Sequence, residues 1–201
     1  MFLGLLFFSL LGTTAFAKRG GTEVCVGNYV NTSFGDLVVP KDETCQLDRF
    51  NVVSGNIKVE KGASLIVCPD NEIQGSVNAH KPNTVFISDL TVGLCQSQPP
   101  KALGITIGGD VKVEGGDSVS LIGNPDGGVA VIQGNVKMEN VGAVVIQFFN
   151  NLSSIQSDVK IEHSGNVSVL DNVINGDLKI KGTTGSCVEQ GNSVSGKLSP
   201  C

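Results

Sequence analysis

Apolar and polar residues alternate with a period of two in a hexapeptide that keeps returning along the chain. In Gly109-Asp110-Val111-Lys112-Val113-Glu114 the two valines point one way and Lys112 and Glu114 the other, as in a half-buried β-strand. Copies stand at Gly55-Asn56-Ile57-Lys58-Val59-Glu60, Gly134-Asn135-Val136-Lys137-Met138-Glu139, Ser157-Asp158-Val159-Lys160-Ile161-Glu162 and Gly176-Asp177-Leu178-Lys179-Ile180-Lys181. A more worn copy is Gly75-Ser76-Val77-Asn78-Ala79-His80, and a remnant is Gly196-Lys197-Leu198-Ser199. Two further tracks repeat in phase, one through Cys45-Gln46-Leu47, Leu65-Ile66-Val67 and Val85-Phe86-Ile87, the other through Val53-Ser54-Gly55 and Ile73-Gln74-Gly75. Three short strands per repeat of about twenty residues predict a solenoid.

One coil cannot bury its apolar row alone, but stacked coils can. Steps of ~4.8 Å predict about eight coils and a rod of roughly 40 Å, all-β, with right-handed crossovers. Ile57, Val77, Val111, Val136, Val159, Leu178 and Leu198 should form one inward column. Val59, Ala79, Val113, Met138, Ile161 and Ile180 should form another. The glycine followed by Asn or Asp at each corner suggests left-handed backbone geometry there. Polar, turn-rich insertions at Cys95–Lys101 and Gly123–Gly128 predict loops ejected from the stack. The expected organisation is a signal peptide over residues 1–17, an N-terminal cap over 18–35 and the repeat domain over 36–201.

These columns, with asparagines four residues before the corner glycine at Asn51, Asn71, Asn172 and Asn192 and Asp89 at the same place, resemble the right-handed parallel β-helix of the pectin-lyase-like superfamily. The resemblance extends from about Asp36 to Ser199. It implies an asparagine ladder, in which stacked amides bond from coil to coil. It also implies polysaccharide lyase or hydrolase activity as one functional class. Lyases of this fold use acidic calcium ligands with a basic Brønsted base, and hydrolases use paired aspartates with a histidine and a basic residue. No clustered Asp-Asp, Gly-His-Gly or Arg-x-Lys motif occurs here, so the carbohydrate-active enzyme stands as the alternative.

The apolar run Phe2–Leu11 ending in Ala15-Phe16-Ala17 has the form of a cleavable export signal and is too short to span a bilayer. Six cysteines suit a chain bound for an oxidising space. Six allow fifteen pairings. Neighbour pairing, Cys25–Cys45, Cys68–Cys95 and Cys187–Cys201, is geometrically easiest in a stack. The absence of any C-x-x-C pair, with only two histidines, argues against zinc. Neither another metal nor a cofactor is indicated. A net charge of -5 with no basic patch argues against nucleic acid.

The most organised chemistry is the outward face of the hexapeptide strand. Lys58, Lys112, Lys137, Lys160 and Lys179 should form one column, and Glu60, Glu114, Glu139 and Glu162 the next, ended by Lys181. Such a lattice either solubilises the sheet or docks an extracellular polysaccharide or matrix polymer. His80 and His163 lie on or just after this track and are expected to be exposed without special chemistry. Sequons at Asn31, Asn151 and Asn166 are candidate glycosylation sites of a secreted protein. The expectation is a secreted, non-catalytic structural or binding protein.

Overall fold

The computed structural model describes residues 21–90, 95, 104–125, 128–149 and 153–201. The segment expected as an export signal, Asp126, the candidate sequon residue Asn151 and the segment from Gln96 to Lys101 lie outside the described residues. The fold is a parallel β-helix solenoid built from three parallel sheets of nine, eight and eight strands. The first sheet runs from Thr22–Val24 to Leu198–Ser199, the second from Gly27–Val30 to Cys187–Gln190, and the third from Ser33–Phe34 to Ser193–Val194. The segment expected as an N-terminal cap thus supplies the first strand of every sheet. No described helix is long and apolar enough to cross a membrane.

The expected columns form in strict register. Ile57 pairs with Val77, Val77 with Val111, Val111 with Val136, Val136 with Val159, and Val159 with Leu178. All are buried, and the three sheets share one hydrophobic core. Leu198 continues the column but is half exposed, because no described coil covers it. The disulfides are Cys25–Cys45, Cys68–Cys95 and Cys187–Cys201, with Cα separations of 5.3, 5.5 and 6.0 Å. The local pairing expected of a stack is therefore the one formed.

The corner glycines correct the sequence reading. None of Gly55, Gly75, Gly109, Gly134, Gly176 and Gly196 has a positive φ. They are needed for close approach. A Cβ on Gly134 would strike the Asp110 carboxylate and the Gly109 backbone, and one on Gly176 would strike the Asp158 carboxylate. The space is used by the residue after each glycine, whose side chain accepts a hydrogen bond from the backbone N–H one coil up. Asn56 N–H donates to Asp36 Oδ1 (2.8 Å), Ser76 N–H to Asn56 Oδ1 (2.9 Å) and Asp110 N–H to Ser76 Oγ (3.0 Å). Asn135, Asp158, Asp177 and Lys197 continue the series with N–H donors at 2.7, 3.3, 2.8 and 2.7 Å from Asp110, Asn135, Asp158 and Asp177. This polar ladder runs along one corner of the rod. The left-handed positions are elsewhere, among them Phe50, Asp70, Phe148 and Asp171 in the turns that lead from second-sheet strands to the third sheet.

The asparagine ladder forms as two separate stacks. Asn51 Nδ2 donates to Asn71 Oδ1 (2.9 Å), and Asn172 Nδ2 to Asn192 Oδ1 (2.8 Å). Asn71 Nδ2 in turn donates to the Cys68 carbonyl at 2.7 Å. Asp89 stands between the two stacks in chain order.

Each end coil carries a glutamate where the interior columns call for an aliphatic residue. Glu23 is paired with Leu37, and Glu189 with Val169, both interior positions. Glu23 accepts a bond from Gly35 N–H (3.2 Å), and Glu189 from Asn192 Nδ2 (2.8 Å).

Candidate functional site

On the outer face of the first sheet, Lys112, Lys137, Lys160 and Lys179 pair in register across four consecutive strands, and Glu114, Glu139 and Glu162 beside them. Period-two alternation puts them there, since each inward neighbour is buried in the core. Within a strand the lattice neutralises itself: Lys137 lies 3.3 Å from Glu139, and Lys160 2.8 Å from Glu162. Lys179 also approaches Glu162, at 3.8 Å. The hydrogen bond from Lys160, aided by its charge, holds the Glu162 carboxyl below the usual carboxylate range. Lys58 does the same to Glu60 from 3.0 Å, with a further bond from the Lys41 backbone.

The columns are not continuous. Asn78 stands between Lys58 and Lys112, and His80 precedes Glu114 in the glutamate column. Here the worn hexapeptide copy replaces a lysine by the shorter Asn78, and a groove of about 410 Å³ opens in the face. Lys58 and Glu60 wall one side, Lys112 and Glu114 the other, and the edges of Val59 and Ala79 reach it from within. Lys41 and Lys61 join from turns. Four lysines therefore meet two glutamates. His80 Nδ1 lies 3.9 Å from Glu114, and Lys112 has no acidic partner within 4.0 Å among the described residues. Sequence reasoning passed over this copy because it departs from the consensus. That departure was the available signal.

A second unusual group lies deep in the fold. Asp89 is fully buried, and neither of its carboxylate oxygens has a hydrogen-bond partner among the described residues. Burial, reinforced by the charge of Asp70, pushes its pKa from 3.8 up to about 7. Asn124 Nδ2 donates to its backbone carbonyl (3.4 Å), and a Cβ on Gly128 would collide with its carboxylate. Asp89 thus touches the Gly123–Gly128 loop through Asn124 and Gly128, but it is enclosed. His163 is exposed in a left-handed turn, away from Asp89 in the chain. Among the described residues no three His, Cys, Asp or Glu side chains group as a metal site.

Of the candidate glycosylation sites, Asn31 is exposed in a left-handed turn. Asn166 is exposed at the start of its strand, with Oδ1 accepting bonds from Ser186 N–H and Oγ, both at 3.0 Å.

No family model matches the chain, and no curated protein and no solved structure matches it either.

Proposed function

We propose that the chain is a secreted, non-catalytic extracellular binding protein that docks an acidic polysaccharide or matrix polymer on the outer face of its first sheet. The observation that carries this reading is the register of that face. Its lysines repeat at the strand spacing over four coils and its glutamates over three, so a linear polymer meets the same chemistry at successive steps. Three disulfides suit an oxidising compartment, and the apolar leader suits export. The three parallel sheets and the asparagine stacks favour affiliation with the pectin-lyase-like superfamily.

The competing reading, a polysaccharide lyase or hydrolase, needs carboxyl groups converging on an open cleft. Here Glu60, Glu139 and Glu162 are engaged by lysines and Glu114 faces His80, and Asp89, the carboxyl with a raised pKa among the described residues, is enclosed. The test is co-sedimentation of the purified protein with acidic and neutral polysaccharides, scored also for released reducing or unsaturated ends. Binding without cleavage is expected, and joint exchange of Lys112, Lys137 and Lys160 for Gln should abolish it. Cleavage of any polymer refutes the non-catalytic reading; unchanged binding by the folded triple variant refutes docking on this face.

A further inference from the structure

We propose that the groove over Asn78 and His80, rather than the regular lattice beside it, is the recognition site for a carboxylate- or sulfate-bearing sugar residue of the docked polymer. This rests on the docking reading above and makes it specific to one place.

The lattice is a poor anion receptor because its cations are already engaged. An anion arriving at Lys137 or Lys160 must displace a glutamate held at 3.3 or 2.8 Å by the same strand. In the groove that competition is relieved at two cations. His80 replaces the glutamate of its strand and Asn78 the lysine. Glu114 has His80, not Lys112, within ion-pair distance. Lys112 is left without an acidic partner among the described residues, and so is Lys61. Lys58 and Lys112 project from strands two steps apart, so the cations flank a gap on the order of 10 Å.

Shape and polarity fit a sugar residue better than a bare ion. The groove is open and elongated enough to hold a ring, with the apolar edges of Val59 and Ala79 beneath it. The Asn78 amide offers both a donor and an acceptor to ring hydroxyls. No Phe, Tyr or Trp side chain lines it, so neutral sugars gain no broad stacking surface. Lysine ammonium groups act as point charges and do not distinguish carboxylate from sulfate by geometry.

The experiment compares three variants of the full chain with the native protein. Lys61→Gln with Lys112→Gln removes the unpaired cations. Lys137→Gln with Lys160→Gln removes the same charge from the lattice. Asn78→Lys with His80→Glu completes the repeat and fills the groove without changing formal charge. Binding to hyaluronate, dextran sulfate and neutral dextran is measured by calorimetry at fixed salt, with folding verified by circular dichroism. The groove pair and the filled-groove pair should each weaken binding about tenfold or more, and the lattice pair by no more than about twofold. Hyaluronate binding identifies the carboxylate and dextran sulfate binding the sulfate. Equal losses in the lattice and groove pairs, or undiminished binding by the filled-groove pair, overturn the groove while leaving docking on the face intact. Failure of the native protein to bind either anionic polymer, or equal binding to neutral dextran, overturns both.

Discussion

Exchanging Asp89 for Asn should stabilise the protein, and the gain should appear only as pH rises. In the folded chain the Asp89 carboxyl is enclosed without a hydrogen-bond partner among the described residues, and its pKa is pushed from 3.8 up to about 7. Below about pH 3.8 both folded and unfolded states carry the proton, and the group has no pH-dependent effect. Between about 3.8 and 7 the unfolded chain releases the proton while the folded chain retains it, so stability falls as pH rises. Above about 7 both states are ionised and the loss levels off. At roughly 1.4 kcal/mol per pH unit, the full span amounts to about 4 kcal/mol. Asparagine has nearly the same shape, cannot ionise, and is the residue that the two amide stacks use on either side. Urea unfolding followed by far-UV circular dichroism, from pH 4 to pH 9, measures both proteins. Near pH 4 the two should differ by less than about 1 kcal/mol; near pH 8 the Asn variant should lead by about 2–4 kcal/mol. A native stability that stays level or rises across this range, with the variant offset by a constant amount, refutes the reasoning.

Further tests address the stack itself. Gly134→Ala drives a methyl group into the Asp110 carboxylate and the Gly109 backbone and should cost about 2–3 kcal/mol in urea unfolding. Asp110→Ala, which removes the bonds from Asn135 N–H and its exposed side-chain amide, should cost about 1 kcal/mol in the same assay. Asn71→Ala leaves the Cys68 carbonyl and the Asn51 amide without their partner inside the fold and should cost about 3 kcal/mol, read as a lower urea midpoint at unchanged slope. Replacing Cys187 and Cys201 by Ser opens a crosslink of sequence separation 14 and should cost about 3 kcal/mol, with hydrogen exchange rising first in the last coil.

Much of the architecture was legible because period-two alternation is a direct record of burial. Val111 and Val113 had to face one way and Lys112 and Glu114 the other, and a repeat of that pattern has few outcomes besides a stack. The disulfide pairing followed from the same geometry. The corner glycines were legible as special but not for the right reason. A glycine required by a neighbour one coil away looks, in one dimension, like a glycine required by its own backbone. The site was least legible. Asn78 and His80 look like erosion in the sequence, and only the stacked strands show that a short side chain between long ones leaves a groove. Asp89 looks like an asparagine equivalent, and its isolation depends on surroundings that no local pattern encodes.

A parallel sheet has no natural length, since each new strand presents the edge that the next one needs. Glu23, on the first strand of the first sheet, and Glu189, on the last strand of the second, each set a carboxylate against that growth. A second copy stacking on either of those strands would have to bring its aliphatic column against a carboxylate, which opposes the approach. The termination is written into two residues and is independent of the coils between them. Coils could therefore be added to or deleted from the middle of the rod, setting its span like the links of a chain, while the two carboxylates keep their places on the edge strands.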